Sequence, residues 1–179
     1  VYLGKAVQTV NPPNASVGAS QLVDASITSG KLASGVLPTN TPAFQVVPTA
    51  EQSISADSYT KLTFGTENWD IGSCFDLTNS KFVVPTGKAG KYDFYGRYLI
   101  RSNDDKEYYI SFYKNGAIVT NTEAKEVTGG GSGAAGAQTV ATLDLNVGDE
   151  IECYVLHSST GAKNTYVNYT VFGAYKIIE

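Results

Sequence analysis

From Phe44 to Tyr175, apolar and polar residues alternate with a period of two, which fits half-buried strands and no helix. Tyr92, Phe94, Gly96, Tyr98 and Ile100 take turns with Lys91, Asp93, Tyr95, Arg97 and Leu99. Tyr108, Ile110 and Phe112 repeat the pattern as far as Asn115-Gly116, a pair suited to the positive φ of a two-residue hairpin, and Ile118-Val119 begins the return strand. Leu143, Leu145 and Val147 run into a turn at Gly148-Asp149, after which Ile151, Cys153 and Val155 form the next inward face. Val167, Tyr169, Val171, Gly173 and Tyr175 are expected as the last strand, with shorter candidates at 44–47, 59–64 and 81–84. At least eight strands and no helix predict an all-β antiparallel sandwich of two sheets. Tyr95 lies opposite the Tyr92, Phe94 and Tyr98 register, and Tyr109 opposite Tyr108. Tyrosines on both faces of a strand imply that one face meets the core and the other a neighbouring subunit.

Residues 1–43 follow a different grammar, with Tyr2 as their one large aromatic before Phe44 would open the first strand. Val17, Leu22, Ile27, Leu32 and Leu37 are spaced five apart. That step rotates about 140° on a helix and changes face on a strand, so neither buries all five along one side. The residues between them are small (Gly, Ala, Ser), and a single chain cannot cover one apolar residue per turn. Several chains meeting on an axis can. The expected organisation is therefore an anchoring arm at 1–14, a small-residue stalk at 15–43 and a folded knob at 44–179. Tyr2, Leu3, Val7 and Val10 are the candidate anchor contacts, Pro12-Pro13 stiffens the exit, and the five-apart residues are the candidate stalk axis. A flexible Ser/Gly/Ala linker is the plainer alternative.

The strands also carry an ordered series of motifs. Ala43-Phe44, Lys81-Phe82-Val83-Val84-Pro85 and Gly90-Lys91-Tyr92-Asp93-Phe94 resemble the opening of the globular head of complement subcomponent q. Tyr113-Lys114-Asn115-Gly116 resembles that family's hairpin, Leu143-Asp144-Leu145 with Val147-Gly148-Asp149-Glu150-Ile151 its next strand pair, and Val171-Phe172-Gly173-Ala174-Tyr175 its closing strand. The resemblance spans about 44–179 and implies the roughly ten-stranded jelly roll shared with tumour-necrosis-factor ligands, assembled as a homotrimeric knob. A Gly-X-Y collagen stem, which the family places ahead of the head, is missing here. Ser26-Ile27-Thr28-Ser29-Gly30-Lys31-Leu32-Ala33 and the opening Tyr2-Leu3-Gly4-Lys5 instead resemble bacteriophage tail-fibre and other virion appendage proteins.

Chemistry-bearing constellations are sparse. His157 is the one histidine, and no nucleophile-elbow pattern accompanies it. Two cysteines, Cys74 and Cys153, lack paired metal-ligand spacing, and their redox state is left open. The run 129–136 has no Lys-Ser/Thr after it and reads as a glycine-rich loop rather than a phosphate cradle. Asp104, Asp105 and Glu107 lack an Asp-x-Asp-x-Asp-Gly calcium loop, although some members of the resembled family bind calcium. The sequons at Asn14 and Asn168 say nothing in a chain this rich in Ser and Thr. Trp69, the sole Trp, sits between Asn68 and Asp70 in an expected loop, as a ligand contact for sugar or protein or as a plug over the sandwich end.

A net charge of −4 does not fit a duplex nucleic-acid binder, and no apolar run reaches the ~18 residues of a spanning helix. The expectation is a non-enzymatic, cofactor-free and metal-free structural protein of a phage-like virion, displayed on its surface after synthesis in the host cytoplasm. Its partners would be two copies of itself, a capsid, portal or tail protein bound through the N-terminus, and a host-surface glycan or protein. The alternative is a secreted trimeric recognition module of complement or cytokine-ligand type.

Overall fold

The computed structural model describes residues 39–102, 104, 106–127 and 133–177, together with 14, 18, 22 and 27–32. Two compact units divide the chain, Val1–Pro38 and Thr39–Glu179. In the first, Ser29–Lys31 form a 3₁₀ turn; Leu22 and Ile27 are exposed, and Leu32 is half-buried. The anchor candidates Tyr2, Leu3, Val7 and Val10 and the stalk candidates Val17 and Leu37 lie outside the described residues.

The second unit is a sandwich of short and long strands. In chain order they are β1 (Ala43–Val47), β2 (Ser53–Ile54), β3 (Thr60–Lys61), β4 (Thr66–Ile71), β5 (Phe75–Asp76), β6 (Lys81–Val83) and β7 (Gly90–Ile100). There follow β8 (Glu107–Lys114), β9 (Ala117–Ile118), β10 (Ala124–Val127), β11 (Ala135–Leu145), β12 (Glu150–His157), β13 (Lys163–Asn164) and β14 (Val171–Lys176). One sheet runs β11-β7-β14-β1-β4; the other runs β10-β8-β12-β6-β5, with β3 and β9 attached at its sides. Every pairing among these strands is antiparallel.

Aromatic side chains from both sheets meet in the middle. Phe172 is fully buried, and its ring centroid lies 5.1 Å from Phe44, 5.6 Å from Phe112, 5.8 Å from Phe64, 6.0 Å from Phe75 and 6.1 Å from Phe94. The period-two pattern brings most of them there, from the inward sets of β1, β5, β7, β8 and β14, while Phe64 comes from the connection between β3 and β4. Cys153 is buried beside this core and Cys74 near its edge; both thiols are free, so no bridge joins them.

Asn115 and Gly116 have φ of 52° and 80°, the two positive values of a type I′ turn between β8 and β9. The Asn115 side chain also clips the adjoining 148–150 turn. Its amide donates to Asp149 Oδ1 at 2.8 Å, and its oxygen accepts the Glu150 amide at 2.8 Å. Lys114 Nζ, 2.7 Å from Asp149 Oδ2, is the main reason that this carboxyl is held down at about 2. A group whose folded value lies below the ordinary ~3.9 stabilises above that value and loses its contribution as acid protonates it. Stability should thus fall between about pH 4 and pH 2, and Asp149→Asn should flatten that part of a pH–denaturation series.

Three expectations need correction. Trp69 is not in a loop: it lies in β4, an edge strand with five of six residues exposed. The last strand begins at Val171, because Val167–Tyr169 turn as a 3₁₀ segment whose exit is fixed by the Thr170 hydroxyl donating to the Tyr166 carbonyl at 2.8 Å. The glycine-rich run ends sooner than 136, since Ala135 and Gly136 already belong to β11. Gly136 has a structural reason there: a Cβ at this position would sit 2.1 Å from the Tyr98 carbonyl oxygen.

Candidate interaction surface

The five-stranded sheet turns one face to the core, and among the described residues of 39–179 nothing packs over the centre of the other. Register places the outward residues in rows that cross the strands. Val140 of β11 pairs with Tyr95 of β7, Tyr95 with Gly173 of β14, Gly173 with Gln45 of β1, and Gln45 with Trp69 of β4. This central row carries no charge. The next row runs Thr142, Asp93, Tyr175, Ala43 and Ile71, and a third aligns Gln138, Arg97 and Val171.

Tyr95 is held flat. Its ring lies across Gly173, where a Cβ would come within 2.4 Å of the ring and 2.3 Å of the hydroxyl. Gln45 Nε2 donates to that hydroxyl at 2.9 Å, and Asn68 Nδ2 donates to Gln45 Oε1 at 2.8 Å. Beside it stands Val140, 79% exposed and the most exposed large apolar residue of the described chain. Open hollows flank this ridge. One of about 350 Å³ is bordered by Arg97, Gln138 and Val171, and one of about 290 Å³ by Asp93, Thr142 and Tyr175. Since Gly173 is the seat of the ring, Gly173→Ala should displace Tyr95 and cost about 1–3 kcal/mol, read as a lower urea midpoint. The Phe44 carbonyl, 2.8 Å from the same Cβ, leaves no room on the backbone side.

Two charged residues beside the central row, Arg97 and Asp93, are held by neutral groups. Arg97 Nε donates to the Tyr169 carbonyl at 3.3 Å; Asp93 accepts from the hydroxyls of Thr142 and of Tyr175, the latter at 3.2 Å. The outward face of the other sheet is the opposite case. There Lys61 pairs with Glu152 at 2.8 Å, Lys81 with Glu150 at 2.6 Å and Lys125 with Glu107 at 2.5 Å. Tyr113 stacks on Tyr154 with centroids 3.9 Å apart, and the Tyr59 hydroxyl donates to Glu123. Burial and that carboxylate together push the Tyr59 phenol up. One face is laced by ion pairs within the chain and suits water; the other has an uncharged row at its centre.

The remaining candidates do not converge. His157 closes β12 fully buried, with Nε2 hydrogen-bonded to the Ile54 carbonyl at 3.0 Å, so it is a core residue rather than a reachable base. Asp104 pairs with Lys163 at 3.2 Å, while Glu107 binds Lys125 and the Tyr109 hydroxyl; Asp105 lies outside the described residues. Among the described residues no group of three potential ligands could hold a metal. Burial raises both thiols, and Cys74 further donates to Asp70 at 3.1 Å, so neither is poised as a nucleophile. Sequence reasoning missed Gln45, Val140 and Tyr175 as members of the outward rows. Only the register of strands distant in sequence brings them beside Tyr95 and Trp69.

No protein-family model matches the chain, and no curated protein does. Solved structures do. The globular domain of zebrafish Complement 1qA protein is similar at 17% identity, covering 77% of this chain and 98% of that one, with a TM-score of 0.58. Murine APRIL, crystallised at pH 8.0, is similar at 14% identity over 75% of this chain and 98% of that one, with a TM-score of 0.53. At such identities the likeness establishes the fold, an all-β jelly-roll sandwich.

Proposed function

We propose that the chain is a non-enzymatic recognition module that works as a homotrimer, the jelly roll of 39–179 being its display domain. The observation that carries this reading is the contrast between the two sheet faces. An uncharged row from Val140 to Trp69 lies open on one, while the other has its charges paired within the chain. An obligate interface centred on such a row buries upward of roughly 2,000 Å² and is apolar in the middle. The fold shared with the complement and APRIL domains supports the same assignment. Sedimentation of the full chain tests it, and a folded monomer at micromolar concentration would sink it.

A second reading, a fibre or appendage of a phage-like particle, is favoured by one observation. Leu22 and Ile27, five apart in a separate compact unit, are exposed apolar side chains that their own chain does not cover. Three chains side by side would cover them and align the knob above an anchor at 1–14. On this reading, removing 1–43 leaves a trimeric knob that no longer joins particles. Changing Leu22, Ile27 and Leu32 together to Ser loosens the stalk and spares the knob, as limited proteolysis would report. Normal incorporation of the 44–179 fragment into particles counts against it.

A further inference from the structure

We infer that Asn115-Gly116 is a self-modification site, where the Gly116 amide attacks the Asn115 side chain to give aspartate and isoaspartate. The clip on the 148–150 turn sets the rate, and the new carboxylate then keeps the clip open. This goes beyond the recognition reading and does not rest on it, because the hairpin belongs to the seven-stranded sheet rather than to the proposed interface.

The reaction needs water and no other partner. The Gly116 amide nitrogen gives up its proton to solvent base and bonds to Asn115 Cγ; the Cγ–Nδ2 bond breaks, and the amide leaves as ammonia with a proton from water. Water then opens the cyclic imide at either carbonyl, so nothing is oxidised or reduced. A side chain on the following residue would shield the attacking nitrogen, and glycine has none. Asn115-Gly116 is the one Asn-Gly pair in the sequence. Asn115 is exposed, and a Cβ built on Gly116 would meet nothing within 4 Å, so solvent reaches the reacting atoms. The turn cannot easily shed the pair, since its φ values of 52° and 80° ask for these residue types.

What restrains the reaction is the fold. Asn115 Cγ must come within bonding reach of the Gly116 nitrogen, yet its carboxamide is engaged with the neighbouring turn, donating to Asp149 Oδ1 and accepting the Glu150 amide at 2.8 Å each. The Asn115 main-chain amide also donates to the Glu150 carbonyl at 3.0 Å. These bonds hold the residue to 148–150, so attack awaits local opening. Once the amide has become a carboxylate, the donor to Asp149 is gone and two anions face each other. Lys114 Nζ sits 2.7 Å from the other Asp149 oxygen, and Lys81 is taken by Glu150 at 2.6 Å, which leaves one cation for two carboxylates. The clip cannot re-form, and in the isoaspartate product the longer main chain no longer fits a two-residue turn.

The full chain is incubated in mildly alkaline buffer, then digested; its 115–116 peptide is weighed, and isoaspartate is scored with an isoaspartate methyltransferase. Conversion should be at least about tenfold slower in the folded chain than in urea, because only the opened fraction reacts. Asp149→Ala removes one arm of the clip and should speed the folded-state reaction about three- to tenfold. Asn115→Gly keeps the turn and should give no label at this site. Asn115→Asp reproduces the aspartate product, and its urea midpoint should lie below those of the parent and of Asn115→Gly, which loses the clip without adding a charge. About 1 M salt should narrow the gap between the two variants. Equal rates in the folded chain and in urea overturn the inference, and that comparison needs no variant to fold. So does an Asp149→Ala chain that reacts no faster with its circular dichroism unchanged, or an Asn115→Asp midpoint as high as the parent's. Absence of label at 115 after other asparagines have converted also overturns it.

Discussion

Changing Val140 to Arg should yield folded monomers if the chain assembles through this face as proposed. Val140 is 79% exposed in the single chain, so a long charged side chain there meets water and leaves the sandwich undisturbed. In an assembly the same long charged side chain would be forced into the packed, uncharged centre of the interface beside Tyr95, where its bulk and its desolvation both oppose association. Disrupting an interface hot spot costs upward of about 2 kcal/mol, or roughly thirtyfold in affinity. Three copies of the substitution act together in a closed trimer. Light scattering should read one-third of the parental mass, with the strand-rich circular dichroism retained. An unaltered mass would move the interface off this face. The control is Glu152→Gln on the opposite sheet, where Lys61 loses a surface partner and the oligomer should not change.

What could be read in advance follows from where each strand sits. β7, β8 and β12 are legible because one face is buried and the other not, which writes period two into the sequence. The Asn115-Gly116 turn is legible because two positive φ values restrict the residue types. β4 is invisible to the same reasoning. An edge strand exposed on both sides has no buried face to impose alternation, and Glu67, Asn68 and Asp70 have poor strand propensity. Only pairing with β1 makes it a strand. The start of β11 is hidden for another reason: the close approach of Tyr98 demands Gly136, and a glycine beside a glycine-rich run reads as loop. At 167–169 the apolar alternation is genuine, but a half-buried Val167 with exposed Asn168 and Tyr169 satisfies a 3₁₀ turn equally well. The interaction surface was half legible. Tyr95 announces an outward aromatic from its own strand, whereas its row with Val140, Gln45 and Trp69 exists only through long-range register.

The other large expected effect lies in the core. Phe172→Ala should lower stability by about 3–5 kcal/mol, the usual cost of truncating a buried Phe and leaving its cavity. The site favours the upper end, because Phe172 touches rings from five separate segments, and losing aromatic pairs worth ~0.5–1.5 kcal/mol each adds to the lost area, though not additively. Collapse cannot close the gap easily, as the neighbouring Gly173 is pinned under Tyr95 and Phe44 sits on the paired strand β1. Against a typical total of about 5–15 kcal/mol, such a loss brings the domain near the folding threshold. With a slope of about 2 kcal/mol per molar urea, the midpoint should fall by about 2 M. The measurement belongs in the Val140→Arg background, where dissociation is not folded into the unfolding transition. Phe172→Leu keeps most of the volume and should cost less than about 1.5 kcal/mol. If alanine cost no more than leucine, the aromatic cluster would be a lining of the sandwich rather than the element that joins its two sheets.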